Sequence, residues 1–195
     1  QTTLNAKTLT KQVIQNCSID FTDAKDCKEE IISFMQKLNA VQDFGTPQNG
    51  FFAETYNTQS SQTDNIKVVM PDGATAVGLA ELMSTDVDLG KTVNYEVVNS
   101  NAVQGFVTGA NPRADICVLP LNMAVKLLGG GQNYKLLGTL THGNLYIVSK
   151  SGVKLTSANM SELRGKTVGV IMLAAVPGLT FKVILNEYGI VYSEQ

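Results

Sequence analysis

The sequence predicts an α/β fold, an open and mostly parallel sheet covered on both faces by helices. Two observations carry this expectation. From residue 65 onward short apolar runs alternate with amphipathic segments, and the connections between them are short and marked by Gly and Pro. Hydrophobic residues make up 44% of 195, enough to bury a core of useful size.

The first 56 residues have a different texture. Residues 7–17 are mildly amphipathic and 19–21 form a short strand. Residues 23–38 (DAKDCKEEIISFMQKL) read as a helix with Asp23 as its N-cap and Ile31, Phe34, Met35 and Leu38 on one apolar face. Residues 45–52 carry turn signals, and 56–64 (YNTQSSQTD) have the composition of a linker. Residues 66–70 then form a buried strand, Pro71-Asp72-Gly73 a turn, and 74–83 a helix. Residues 93–98 alternate as a second strand. Ser100 stands where an N-cap belongs, and Ala102, Val103, Phe106 and Val107 recur at helical spacing. Residues 115–119 (DICVL) make a third strand ended by Pro120, 121–128 a short helix, and 129–131 a glycine loop. Residues 134–140 and 145–148 read as further strands, and 160–164 as a turn of helix. A last βαβ unit has strands at 167–173 and 190–192 around a helix at 177–188, with Pro177 in its first turn and Gly189 as its terminator.

Composition narrows the function. Lys and Arg total 15 against 17 Asp and Glu, with no block of like charge, so no basic face is available to a phosphate backbone and nucleic acid is not an expected partner. Only 16% of residues are charged, while Asn, Gln, Ser and Thr supply 55, so polarity is mostly uncharged. No apolar run approaches the ~18 residues of a membrane span. Three cysteines (Cys17, Cys27, Cys117) and one histidine, His142, fit no zinc spacing, so no metal and no cofactor is expected. Cys17 and Cys27 are the closest pair for a disulfide; reduced core cysteines are the alternative and the expectation. No HExxH, GxSxG, P-loop or GxGxxG motif occurs, and no catalytic residue is assigned.

The run ADICVLPLNMAVKLLGGGQNYKLLGTLTHGNLYIVS (residues 114–149), followed by LRGKTVGVIMLAAVPGLTFKVILNEYGI (163–190), resembles the substrate-binding proteins of ABC importers, in the branch of nitrate, taurine, alkanesulfonate and thiamine-precursor binders. The resemblance covers about residues 64–195. It implies a periplasmic-binding-protein-like lobe that closes on a ligand against a second lobe by a hinge. Residues 1–56 resemble the family's carboxy-terminal return to the first lobe, here placed first; 57–64 would be a linker, 65–150 the core of the first lobe, 151–165 the hinge region and 166–195 a fragment of the second lobe. The order is thus read as permuted and the second lobe as truncated, by engineering or rearrangement; a natural fragment is the alternative. The crevice would then be incomplete. The apolar segment 166–195 is expected to dock on a neighbouring chain, giving a homo-oligomer or an exchanged domain, or to fold back on its own lobe.

In open α/β sheets ligands sit beyond the carboxyl ends of the strands, at helix starts. The candidates there are Asp72, Gly73, Ala74 and Thr75 after the first strand, with Asp72 as an ordinary cap the competing role. Ser100 follows the second strand, again with capping as the competitor. Pro120, Leu121 and Asn122 follow the third, Asn122 offering an amide to donate. Ala175, Pro177 and Gly178 belong to the loop 174–180, whose small residues would leave room for a ligand head group. Thr141, His142 and Gly143 match a TxGNLY stretch near the family's hinge. A lone His without a partner carboxylate or nucleophile is not a general base.

The resemblance implies a non-enzymatic solute receptor, periplasmic or extracellular and membrane-associated, that captures a small polar or anionic organic molecule and passes it to an ABC permease. No Arg or Lys lies in the candidate loops, and Arg113 precedes its strand at the wrong end, which weakens a sulfonate. The competing readings are an enzyme on the same bilobed fold and the effector-sensing domain of a regulator. The enzyme would need a base or nucleophile beyond His142 and Asp72. The regulator would ordinarily carry a basic helix-turn-helix, which residues 1–56 do not resemble.

Overall fold

The structure, a computed structural model, describes residues 9–48, 50–54, 64–84, 90–129, 131, 133–150 and 152–195. Residues 1–8 of the amino-terminal segment and 57–63 of the expected linker lie outside the described residues. Helix α1 (Lys11–Asn16) opens at Thr10, whose hydroxyl accepts the Val13 N–H at 3.3 Å. Strand β1 (Ile19–Asp23) and helix α2 (Lys28–Asn39) follow. The helix expected with Asp23 as its N-cap therefore starts four residues late. Asp23 ends β1 and opens a turn: its carboxylate accepts from the Lys25 N–H at 3.2 Å and its carbonyl from those of Asp26 and Cys27. A short acidic side chain that bonds its own backbone competes with helix initiation, so the cap moves to Cys27.

Strand β2 (Asn65–Pro71) lies at the middle of a parallel three-stranded sheet, with β3 (Thr92–Val98) on one side and β4 (Ile116–Cys117) on the other. β2 and β3 pair along their full lengths, from Asn65↔Thr92 to Pro71↔Val98, and Val68↔Ile116 and Val69↔Cys117 fix β4. The helix expected at 74–83 is two short helices, α3 (Ala74–Gly78) and α4 (Ala80–Ser84), interrupted at Leu79. The helix expected after Ser100 is a 3-10 turn, Val103–Phe106. Helix α5 (Leu121–Gly129) forms where expected; Gly130 in the following glycine loop is outside the described residues.

Strand β5 (Gly138–Thr141) does not extend the parallel sheet. It pairs antiparallel with β1, through Ile19↔Thr141, Thr22↔Thr139 and Asp23↔Gly138. Leu136 offers its N–H and C=O to the opposite edge, donating to Phe51 at 2.8 Å and accepting from Ala53 at 2.9 Å. Residues 19–24 and 51–53 thus clasp 136–141 from both sides, so the amino-terminal segment packs on the body formed by residues 65–150. The fold is α/β, with the expected parallel sheet only three strands wide.

The remaining expected strands, 145–148, 167–173 and 190–192, are not strands. Their alternation suits a sheet, but a strand exists only with a partner, and no described residue ladders with them. Val148 is 92% and Val191 94% exposed. Of the last unit only helix α6 (Val176–Glu187) forms, and the turn of helix expected at 160–164 is the 3-10 turn Met160–Leu163. α6 ends as its sequence dictates: Gly189 takes φ +58 and Ile190 N–H reaches back to the Leu185 carbonyl at 2.8 Å.

The main core forms around α2. Ile31, Met35 and Leu38 are buried with Phe51 and Phe52, Ala124 and Val125 of α5, and Leu179 of α6, while Phe34 is half-buried at the edge. α2 packs on Phe51, Phe52, Ala124 and Val125 and also on α6, which it approaches closely and meets again through Lys37–Glu187 at 3.5 Å. The opposite face of α6 packs Leu185 and Phe181 against Met160 and Ile190. With apolar residues on two faces, α6 fills the space between two clusters and folds back onto its own chain.

Candidate functional site

The β2–β3–β4 register gathers three of the candidate loops at one end of the sheet. Asp72 N–H bonds the Val98 carbonyl at 3.0 Å, and Val118 N–H bonds the Val69 carbonyl at 2.9 Å, which ties the exit of β4 to β2. β3 and β4 lie on opposite sides of β2, so the loops after all three parallel strands meet at the carboxyl end of the sheet, the end at which ligands sit in open α/β sheets. Gly73 has φ +103, a conformation only glycine adopts readily, so its place in the turn is conformational. Asp72 is exposed and does not cap α3. The Thr75 hydroxyl donates to the Pro71 carbonyl at 2.9 Å, and Ala74 simply starts the five-residue α3. Ser100 is not a helix cap either: Asn99 makes the turn, accepting Asn101 N–H on its side chain at 3.0 Å and Ala102 N–H on its carbonyl at 2.8 Å.

The third loop has the chemistry that the others lack. The Pro120 carbonyl accepts from Met123 and Ala124, both at 3.0 Å, which starts α5. Leu121 turns into the main core. Asn122 is 7% exposed, the one buried polar or charged residue among those described, and its Oδ1 is buried without a hydrogen-bond partner. The sequence pointed to this side chain as a donor; the structure leaves its acceptor unsatisfied.

At Thr141, His142 and Gly143 the chain turns off β5. His142 N–H donates to the Ser18 carbonyl at 3.0 Å and its Nε2 lies 2.9 Å from Thr139 Oγ1, so the ring is folded back onto its own strand. The Cys27 thiol donates to the Thr22 and Ala24 carbonyls at 3.8 and 3.9 Å, and burial pushes its pKa upward against a smaller opposite pull from the Thr139 side chain. Burial pushes the Cys117 thiol up to about 11. Both are held as thiols at neutral pH and are poor nucleophiles, and the one histidine is already engaged. All three cysteines are free. Among the described residues no group of His, Cys, Asp or Glu is arranged to hold a metal ion.

Ala175, Pro177 and Gly178 start α6, with Ala175 extended at the N-cap and its N–H bonded to the Met172 carbonyl at 2.8 Å. The room expected at Gly178 is filled: the residue is buried, and a Cβ there would fall on the backbone of Leu173. The glycine admits neighbouring chain, not a ligand. Two positions on, Thr180 carries the second buried side-chain oxygen without a partner, its Oγ1. A threonine beside a core leucine gives no sequence signal for this, since the hydroxyl ordinarily bonds back to its own helix.

Arg113 stays at the amino end of β4, its guanidinium 4.6 Å from the Phe106 ring centre and 3.3 Å from the Gly105 carbonyl. No described helix is long and apolar enough to cross a membrane. Comparison with protein-family models, curated proteins and solved structures gave no match.

Proposed function

We propose that this chain is a solute-binding protein, which captures a small polar organic molecule at the starts of α5 and α6 and does no chemistry on it. The observation that carries this reading is the Asn122 amide oxygen, buried and unsatisfied at the carboxyl end of the parallel sheet. An orphaned buried acceptor costs roughly 1–3 kcal/mol, a cost that a bound partner removes. Thr180 Oγ1 has the same deficit at the start of α6, and both helices pack into the α2 core. The raised thiols and the engaged His142 favour binding over catalysis. Delivery to an ABC permease, and a periplasmic or extracellular setting, belong to this proposal through the sequence resemblance.

The test is a thermal-shift screen of small polar solutes with turnover followed in the same samples. Binding to the folded state raises Tm with ligand concentration. The expected result is stabilisation by one chemical class with the solute recovered unchanged; consumption of the solute would move the reading to an enzyme.

A further inference from the structure

We infer that Asn122 selects a ligand that presents an N–H or O–H donor, an amine, amide or hydroxyl, over a donorless anion; this rests on the binding proposed above and narrows its ligand class. The argument begins with helix phase. On α5, Leu121, Ala124, Val125 and Leu128 face the α2 core, whereas Leu127 faces the cluster beneath the parallel sheet. Advancing about 100° per residue, Asn122 falls on the flank of the first stripe that is turned away from Leu127. Asn122 thus stands at the edge of the main core, away from the cluster beneath the sheet. On α6, Leu179 and Val183 face that same core while Phe181, Ile184 and Leu185 face the other cluster, and Thr180 falls on the flank between Val183 and Ile184.

Chemistry then fixes the polarity. An amide oxygen accepts and never donates, so a nitrate or sulfonate oxygen beside Oδ1 would set lone pairs against lone pairs. A threonine hydroxyl both donates and accepts, so Thr180 is indifferent to the choice and Asn122 decides it. Binding a donor turns the orphaned acceptor into a hydrogen bond in a water-poor site; the candidate loops hold no Arg or Lys, and Lys126, one turn on from Asn122 along α5, is exposed to solvent.

The test uses the full chain with two probe series at matched millimolar concentrations, acetamide and ethanolamine against sodium nitrate and sodium methanesulfonate, read by thermal shift and calorimetry. Asn122→Leu and Thr180→Val are compared with the unmodified protein. The expected result is stabilisation by the first series alone, with Asn122→Leu weakening it about tenfold or more, the equivalent of one hydrogen bond, while its own ligand-free Tm stays level or rises. Stabilisation by the anions alone would mean that the amide presents its NH2 group, overturning the donor inference and leaving the binding reading intact. Donor binding that survives Asn122→Leu, or a ligand-free Tm that falls on that substitution, would give Asn122 a structural role with an enclosed water and also overturn it. No response to either series would remove the binding reading itself. Should Asn122→Leu fail to fold, Asn122→Ser shortens the acceptor without adding apolar bulk, and the same weakening is expected of it.

Discussion

Gly138 shows how one missing side chain can set a sheet. On β5 it sits opposite Asp23, and a Cβ there would meet the Thr22 carbonyl and the edge of the Phe21 ring at 2.5 and 2.7 Å. Phe21 is 59% exposed and lies across the glycine, covering backbone that would otherwise face water. Gly138→Ala should therefore destabilise the chain by about 1–3 kcal/mol, measured by chemical denaturation, although alanine ordinarily strengthens a strand relative to glycine. Cys117 gives a pH signature. Its thiol is raised from 9.0 to about 11 by burial, so the unfolded chain loses the proton first. Stability should be unaffected by this group below pH 9 and decline as pH rises toward 11; Cys27, also raised, acts in the same direction. Denaturation at stepped pH should show a shallower alkaline slope in Cys117→Ala; an unchanged slope would remove Cys117 as the cause. Asn122 was legible as a position, because a polar residue after a strand-ending proline stands at a helix start. The polarity of its role was not, because only packing decides which end of an amide is enclosed.

Helices were more legible than strands. α2 shows its apolar face at the helical period, and α6 carries Pro177 at its start and Gly189 at its end. Both are specified by residues within a turn of each other. The strands that formed, β2 and β3, have each other across seven paired positions; 145–148 has comparable apolar character but no ladder, and Tyr146 instead donates its hydroxyl to the Asn16 carbonyl at 2.8 Å. Ser100 failed as a cap because Asn99, one residue earlier, closes the turn more tightly. For α2, Leu38→Ala should cost about 2–5 kcal/mol, since Leu38 is fully buried between the helices. Native-state hydrogen exchange in that variant should speed up in α6 as well as α2 if the two are docked as described. Acceleration confined to α2 would contradict that docking.

The chain as a whole is tied together by exchange of core residues between distant segments. Leu179, near the carboxyl end, is fully buried in a cluster whose other members include Ala24 and Phe51, near the amino end. Removing residues 166–195 should therefore expose Met35 and Leu38, lower Tm and promote association visible by light scattering. A shortened chain that keeps both its Tm and its mass would show that α6 contributes nothing to the core. The surfaces left bare, with Ile171 72% exposed and Tyr146 67%, are where association of the full chain would be sought.

The pattern of residues settled what depends on near neighbours: the α/β class, the strand character of β2 and β3, the helix faces and the terminator at Gly189. Each follows from period, side-chain entropy or a glycine conformation acting over a few positions. Pairing and burial follow from contacts between segments far apart in the chain. Those contacts placed β5 against β1 instead of in the parallel sheet, gave Asp23 to a turn, filled the space at Gly178 with Leu173, and left the Asn122 oxygen enclosed without a partner. A strand's partner and a polar atom's isolation are properties of where other chain segments come to rest, and local sequence does not encode them.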